Sequence, residues 1–236
     1  VATTNECDIT VGDYDVTVKD GSASVRSVKD GKEVDESENY TILYDSTVKA
    51  KLTITKRTVT FNTATQSWVY NDEVHSDGTH SVRQGSLELV LNHTSKSDGL
   101  TEIKDVYFID GVVSGIDNEM IITIWDGETE VTENYDIKYH YGTLKITPRP
   151  ITVTACDREK VYDGTPLVYN KCDYTSTDNG VPFAGLLENK GHTITAYAEG
   201  SQTDVGESKN KVKDGVRIFD KDGADVTATY AIPTEE

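Results

Sequence analysis

The sequence repeats itself at an offset of 92 residues, and this repeat constrains the fold more than any other feature. The stretch ITKRTVTF at 54–61 superimposes on ITPRPITV at 146–153 without a gap, which places Arg57 on Arg149. Further matching pairs are Leu52 and Leu144, Ile54 and Ile146, and Tyr70 and Tyr162. Self-similarity at a fixed offset is typical of a chain built from repeated structural modules. We therefore expect tandem modules joined at Arg57 and Arg149.

A second block recurs three times, and it predicts the same turn in each copy. It reads DGKEVDESENYTI at 30–42, DGETEVTENYDI at 126–137 and DGADVTATYAI at 222–232. Asp-Gly between apolar segments indicates a tight turn, because glycine adopts positive φ without a steric clash. The Tyr and the Ile two residues later point to one face of a strand. The first two copies are followed by a closing strand, KAKLTIT at 49–55 and YGTLKIT at 141–147.

The spacing of the apolar residues predicts an all-β chain. Val, Ile, Thr and Tyr alternate with polar residues at a period of two, and no sustained helical period appears. We expect small tandem modules of the β-sandwich or β-grasp type. Residues 1–57 form a partial or divergent module, 58–148 a complete one, and 149–236 one that lacks its final strand. Pro148 and Pro150 fix φ and lack an amide hydrogen, so a short, stiff linker should join the modules end to end.

Net charge and hydropathy exclude several classes of partner. The formal charge is −18, from 41 acidic and 23 basic side chains. Such a surface repels nucleic acid, since phosphate binding needs clustered Lys and Arg. No apolar run approaches the length of a membrane span, so none is expected. The first ten residues, VATTNECDIT, do not resemble a secretion signal and suggest a mature or excised fragment.

Three motifs in the last copy carry a family resemblance. They are VYDGTPL at 161–167, TDVG at 203–206 and the block that ends at Ile232. Together they resemble the MBG/YDG-type repeat modules of bacterial surface proteins and adhesins, Gram-positive and gut bacteria among them. The resemblance covers 149–232 best, extends over 58–148 with Asn71-Asp72 in place of Asp-Gly, and is partial over 1–57. It implies an extracellular location at the cell surface or cell wall and a stalk or adhesive role, as in bacterial Ig-like modules. It implies no catalytic residues.

Three cysteines leave the redox state open. Cys156 and Cys172 flank the turn-rich piece KVYDGTPL, and two interpretations are open: a disulfide across two strands, or two partly buried thiols. A bridge there would contribute about 3 kcal/mol of stability. Cys7 is left over in both cases. No C-x-x-C pair supports a zinc or thioredoxin-like site.

Acidic and imidazole side chains give no clear catalytic or metal site. Asp220, Asp222 and Asp225 lie close together in FDKDGADV, which indicates either a hairpin tip or a calcium loop. The helix-loop-helix calcium pattern is not met. Only His75 and His80 are near each other among the five histidines, without the context that catalysis needs. We therefore expect no enzyme activity and no cofactor.

The aromatic residues suggest one ligand-facing candidate. Tyr70 matches Tyr162, and Tyr40, Tyr135 and Tyr230 match one another, so these tyrosines are expected to pack in the cores. Trp68 has Lys160 as its counterpart, so an exposed position is expected that could contact a ligand.

Three functional hypotheses remain open on the sequence. The first is a non-catalytic stalk or spacer segment of a secreted or wall-attached bacterial protein. The second is a module that binds a host glycoprotein or glycan. The third is an accessory region of a larger surface enzyme. The expected contacts are with neighbouring modules of the same chain, and none is with nucleic acid.

Overall fold

The chain is all-β. The computed structural model describes residues 11–16, 23–45, 50–176 and 183–233. Its helical segments in these ranges are three-residue 3-10 turns. The strands are, in chain order, β1 (Gly12–Val16), β2 (Arg26–Lys29), β3 (Lys32–Asp35), β4 (Ala50–Ile54), β5 (Arg57–Thr63), β6 (Gln66–Val69), β7 (His80–Val82), β8 (His93–Asp98), β9 (Tyr107–Ile109), β10 (Val112–Ser114), β11 (Ile116–Asp117), β12 (Ile121–Asp126), β13 (Thr129–Glu130), β14 (Tyr135–His140), β15 (Thr143–Thr147), β16 (Arg149–Pro150), β17 (Val153–Ala155), β18 (Cys172–Tyr174), β19 (Thr193–Thr195), β20 (Ala198–Glu199), β21 (Lys211–Val212), β22 (Arg217–Phe219) and β23 (Tyr230–Ala231).

The block that recurs three times folds in the same way each time. Each copy has a glycine with positive φ, then a 3-10 turn, then a tyrosine in extended conformation. The glycines are Gly31, Gly127 and Gly223, the turns are Ser37–Asn39, Thr132–Asn134 and Thr227–Thr229, and the tyrosines are Tyr40, Tyr135 and Tyr230. In the first and third copies an aspartate precedes the turn and accepts two hydrogen bonds from the Ser or Thr that begins it. The sequence prediction of a common turn is confirmed.

The chain divides into two compact units whose residue ranges alternate along the sequence. The first unit contains 1–61, 82–96 and 122–139, and the second contains 62–81, 97–121 and 140–236. These units do not coincide with the modules at 58–148 and 149–236, which remain a prediction of the sequence repeat. No helix in the described ranges has the length and apolar character that crossing a bilayer requires.

The first unit contains two antiparallel strand pairs and a small apolar core. Strands β1 and β4 pair antiparallel, with Tyr14 opposite Leu52, and β2 pairs with β3 around the first Asp-Gly turn. Strand β5 lies beside β14, and β12 lies between β13 and β8. The buried apolar side chains of this unit are Val59, Phe61, Ile122, Ile124 and Tyr135.

The second unit is organised around β15. This strand is the centre of a three-stranded sheet, antiparallel to β11 and parallel to β6. Its side chains Leu144 and Ile146 are fully buried. They belong to one continuous core cluster whose other members are Tyr70, Ile103, Val106, Ile151, Leu186, Leu187, Ile218 and Tyr230. Residues from both sides of the Pro148–Pro150 junction therefore share one core.

Two asparagines, the buried Asn118 and the half-buried Asn210, reproduce the 92-residue offset in three dimensions. The Asn118 amide Nδ2 donates to the carbonyl oxygens of Ala64 (3.0 Å) and Asp77 (3.1 Å). The Asn210 amide donates to those of Cys156 (3.0 Å) and Tyr169 (3.0 Å). All three positions of the second set lie 92 residues after those of the first. The two asparagines therefore hold equivalent segments together in two copies of one substructure.

Candidate functional site

The junction between the predicted modules is held by a buried arginine. The Arg149 side chain extends from β16, and the residue is only 5 % exposed. Its Nε donates to the Gly185 carbonyl oxygen (2.7 Å), its Nη2 to that of Ala184 (2.7 Å) and its Nη1 to that of Tyr70 (3.4 Å). Burial disfavours the charged guanidinium and lowers the pKa of Arg149. One side chain thus joins backbone from both sides of the junction.

The backbone of the junction is bonded as well. Strand β16 pairs in parallel with β23, with Arg149 opposite Tyr230. The Pro150 carbonyl oxygen accepts from the Gly185 amide (2.7 Å), and the Ile151 amide donates to the Ala231 carbonyl oxygen (3.1 Å). Proline has no amide hydrogen to donate, but its carbonyl oxygen still accepts a hydrogen bond between strands. The segment that the sequence predicts as a stiff linker is therefore part of a small sheet.

Three aromatic rings pack against one another beside this arginine. The Tyr70 and Tyr230 rings meet edge to face at 6.0 Å between centroids, and His192 lies 5.9 Å from Tyr230 and 6.2 Å from Tyr70. Burial raises the pKa of the Tyr70 phenol above its ordinary value and that of Tyr230 to about 12. Both phenols are therefore neutral hydrogen-bonding groups at physiological pH. We call Tyr70, Arg149, His192 and Tyr230 the joint cluster.

The imidazole of the joint cluster is fully enclosed. The His192 side chain is 0 % exposed. Its Nδ1 lies 2.9 Å from the Tyr230 hydroxyl, which also accepts from the Leu187 amide (3.3 Å). A hydroxyl that accepts from Leu187 is free to donate to Nδ1, so the ring proton belongs on Nε2, which faces Asp72 Oδ2 at 3.8 Å. Burial lowers the pKa of His192 despite this carboxylate.

Two ion pairs flank the joint cluster. Lys104 Nζ lies 2.8 Å from Asp72 Oδ1, and Lys190 Nζ lies 2.7 Å from Glu73 Oε1. Burial is the largest single influence and would raise the pKa of Asp72, but the hydrogen bond and charge of Lys104 together with His192 outweigh it, and the pKa lies below its ordinary value. Hydrogen bonding to Lys190 likewise lowers the pKa of Glu73. Both carboxylates are therefore ionised and complement the lysines.

The turn that presents Asp72 is a variant of the YDG motif. In the motif itself, Asp163 Oδ1 accepts from the Thr165 amide (2.9 Å) and hydroxyl (2.7 Å), and Gly164 has φ +78. In the earlier copy, Asn71 Oδ1 accepts from the Glu73 amide (3.1 Å), and Asp72 adopts φ +58 in place of the glycine. An Asp side chain tolerates this left-handed conformation better than most residues. The replacement keeps the turn and adds a carboxylate that faces His192.

Part of the joint cluster recurs in the first unit. Arg57 Nε donates to the Glu88 carbonyl oxygen (2.6 Å). The Tyr135 hydroxyl lies 2.6 Å from His93 Nδ1 and accepts from the Val90 amide (3.1 Å). His93 and Tyr135 thus make the contacts of His192 and Tyr230, whereas Arg57 makes one exposed hydrogen bond where Arg149 makes three. Neither histidine–tyrosine pair was found from the sequence, because His93 and His192 lie 99 rather than 92 residues apart.

The hydrogen-bonding groups of Arg149 and Tyr230 in the joint cluster are satisfied within the chain. The imidazole that could exchange a proton is enclosed, and the arginine is bonded to carbonyl oxygens on its own chain. Removing any member leaves buried polar groups unpaired, which costs stability. The cluster therefore fixes the orientation of the segments that meet at Arg149.

The aspartates of the calcium hypothesis serve separate local contacts. Asp220 Oδ1 accepts from the Asp222 and Ala224 amides, Asp222 pairs with the adjacent Lys221, and Asp225 accepts from Thr227. Within the described ranges, no group of three or more His, Cys, Asp or Glu side chains is arranged to hold a metal ion. Asp220 and Asp225 thus accept from backbone amides of the turn, whereas Asp222 pairs with a lysine side chain.

The disulfide that the sequence allowed is not formed in the structure. Cys156 and Cys172 are free thiols. Strand β17 pairs with β18 so that Ala155 lies opposite Cys172, which puts Cys156 one residue out of register. Neighbouring residues of a strand point to opposite faces, so this register does not bring the sulfur atoms together. Cys7 lies outside the described residues.

Trp68 is half-buried rather than exposed. Its ring stacks on His75 at 4.8 Å between centroids and packs against the core cluster, and β15 pairs with β6 so that Ile146 lies opposite Trp68. The expectation from the pairing with Lys160 was wrong, since the two positions have different surroundings. The matching tyrosines differ in the same way: Tyr70, Tyr135 and Tyr230 are buried, whereas Tyr40 and Tyr162 are exposed.

Comparison with family models, with curated proteins and with solved structures gave no match for this chain. The assignment of a function therefore depends on the geometry described above.

Proposed function

We propose that this chain is a non-catalytic spacer segment of a bacterial cell-surface or secreted adhesin-like protein, built from MBG/YDG-type modules. The observation that carries the proposal is the joint cluster. A spacer must transmit orientation from one module to the next, and Arg149 bonds the backbone on both sides of a junction in a shared core. The partial recurrence of the cluster at Arg57 supports a device that is repeated along a stalk.

The chemistry of the surface supports the same proposal. The formal charge of −18 keeps an extended extracellular segment soluble and away from anionic surfaces. The YDG turn is explained by its own hydrogen bonds, and its aspartate has a pKa lowered to about 2 by Lys160 and Thr165. A motif that is satisfied internally fits a structural module.

Mechanical unfolding of the chain, pulled between its two ends, tests the spacer role. We expect discrete rupture events with a reproducible spacing, and a lower rupture force for one of them in R149A. Extension without a resisting event would contradict the proposal.

A glycan array that includes mucin-type saccharides tests the alternative of a binding module. Saturable binding that is lost in W68A would favour that alternative. We expect none, because His75 already occupies one face of the indole ring.

A further inference from the structure

One ring nitrogen of His192 is hydrogen-bonded and the other is not. The Tyr230 hydroxyl lies 2.9 Å from Nδ1, and within the described residues the enclosed Nε2 has no hydrogen-bond partner. Asp72 Oδ2 is 3.8 Å from Nε2, and the other oxygen of this carboxylate is held by Lys104 at 2.8 Å. The neutral imidazole therefore fits the joint cluster better than the imidazolium does.

A proton taken up at Nδ1 would remove the acceptor of the Tyr230 hydroxyl. Among the described residues this hydroxyl has one acceptor, His192 Nδ1, because its other contact is the donating amide of Leu187 (3.3 Å). A buried hydroxyl without an acceptor costs stability, and an enclosed imidazolium costs more because it is desolvated. Both costs disappear when the imidazole moves into water.

The groups around His192 do not offset these costs. They are the rings of Tyr70 and Tyr230, the carboxylates of Asp72 and Asp220, and the ammonium of Lys104. The carboxylates favour the charged imidazole and Lys104 opposes it. Burial is the largest influence, so the pKa of His192 lies below its ordinary value. A falling pH thus favours a conformation in which His192 is solvated.

The segment that carries His192 is a short loop closed by its own hydrogen bonds. The amides of Lys190 (3.0 Å) and His192 (3.1 Å) both donate to the Leu187 carbonyl oxygen. A 3-10 turn at Glu188–Lys190 ends at Gly191, which has φ +84. The exposed side-chain contacts of the loop are Lys190 with Glu73, and Glu188 with Tyr174 and Ser176. The loop can therefore swing outward as a unit once its buried contact with Tyr230 is lost.

We propose that the joint cluster is an acid-sensitive latch. At neutral pH the Tyr230 hydroxyl holds the neutral imidazole and keeps the loop 187–192 closed. In acid, His192 takes up a proton from solvent, the Tyr230–His192 hydrogen bond breaks, and the loop opens. Opening would make the junction at Arg149 flexible, which goes beyond the proposed spacer role. The latch rests on this geometry alone, so its failure would leave the spacer proposal standing.

The first unit contains a matched set of groups that differs in enclosure. The Tyr135 hydroxyl lies 2.6 Å from His93 Nδ1 and accepts from the Val90 amide (3.1 Å), and His93 Nε2 lies 3.9 Å from Asp126 Oδ2. The His93 side chain is 14 % exposed, whereas that of His192 is 0 % exposed. Water can solvate a charged His93 without any opening, so this set is an internal control.

Amide hydrogen exchange, followed by NMR on the intact chain between pH 7.5 and 5.0, tests the latch. The protection factor of the Leu187 amide should fall by up to about tenfold per pH unit below 6.5, since opening takes up one proton. The Val90 amide of the matched set should change less. Constant protection at Leu187, or an equal fall at Val90, would overturn the proposal.

Low concentrations of urea at pH 5.0 separate local opening from unfolding of the whole unit. Exchange at Leu187 should not respond, because local opening exposes little surface. Exchange at the buried Asn118 amide, which donates to the Gly142 carbonyl oxygen in the same unit, should accelerate. An equal urea response at both amides would overturn the latch.

Two variants assign the effect to His192. In H192Q the protection of Leu187 should no longer depend on pH. In D72N the turn is kept, because Asn tolerates the φ of +58 at this position, but the imidazolium loses its nearest counter-charge in the closed state. The fall in protection between pH 7.5 and 5.0 should therefore be larger in D72N than in wild type. A smaller fall in D72N, or an unchanged pH dependence in H192Q, would overturn the proposal.

Discussion

At the scale of single residues, His192 links the joint cluster to pH. The enclosed imidazole has a pKa below its ordinary value of 6.5, because burial disfavours its charged form, and Asp72 and Asp220 only partly oppose this effect. The unfolded chain therefore binds a proton near pH 6.5 that the folded chain does not. His192 should contribute stability above that pH and lose it as the pH falls below 6.5, with a slope of at most about 1.4 kcal/mol per pH unit.

Chemical denaturation of wild type and H192Q between pH 7.5 and 5.5 measures this contribution. The wild-type free energy of unfolding should fall over this range, and H192Q should show a shallower fall. The control H140Q removes an exposed imidazole, keeps His192 and should keep the wild-type slope. Identical slopes for wild type and H192Q would show that folding leaves the pKa of His192 unchanged.

Arg149 is the second residue whose loss should be measurable. R149A leaves the carbonyl oxygens of Ala184, Gly185 and Tyr70 without their donor inside a core. We expect a loss of about 3 kcal/mol in the free energy of unfolding. The matched variant R57A removes one exposed hydrogen bond, to Glu88, and should cost about 1 kcal/mol. A larger loss in R57A than in R149A would contradict the assigned roles.

At the scale of elements, the local turns were predictable and the strand neighbours were not. The turn at Asp225 and Thr227 depends on residues two apart, so its pattern recurs in the sequence at Asp35 and Ser37 and makes the same hydrogen bonds there. The burial of Trp68 depends on β15, which lies far away in the chain, so its match with Lys160 misled the prediction. Asn118 and Asn210 obey the 92-residue offset and could have been found by it. The partners of Arg149 at Ala184 and Gly185 follow only from the fold.

Asn118 and Asn210, which each bridge two backbone carbonyl oxygens, allow a prediction of relative stability at this scale. In N118D a carboxylate replaces an amide that donates to two carbonyl oxygens in a fully buried position. We expect a loss of about 3 kcal/mol in the free energy of unfolding. N210D should lose less, because Asn210 is only half-buried. The exposed Asn170 supplies the control, and N170D should unfold like wild type. Equal losses of unfolding free energy in N118D and N170D would refute a stabilising role for the Asn118 hydrogen bonds.

At the scale of the whole molecule, the repeat and the compact units divide the chain differently. The repeat ends a module at Pro148, whereas the second compact unit continues from 140 to 236. The reason is the shared core, in which Tyr70 and Ile146 pack in one cluster with Leu187 and Tyr230. The repeated sequence shows which segment is copied along the chain. The apolar contacts show which segments share one core and fold together. A spacer whose copies share cores would bend less at its junctions than one with separate modules.

The last prediction separates the linker prolines from the joint cluster as the source of stiffness. The sequence alone favours the prolines, because they restrict φ. The structure adds β16–β23 pairing and the Arg149 hydrogen bonds across the same junction. Spin labels at Gln66 in β6 and Thr195 in β19, both exposed, report the distance across it. The background carries Ser in place of Cys7, Cys156 and Cys172.

Wild type should give a narrow distance distribution by pulsed electron resonance. The double variant P148G/P150G should keep that width, because its carbonyl and amide partners remain, while losing about 1 kcal/mol per site through the greater entropy of the unfolded chain. R149A should broaden the distribution, since the Tyr70 backbone then loses its bond to the other side of the junction. The opposite result, a broad distribution in the proline variant and a narrow one in R149A, would show that the linker prolines are the source of stiffness.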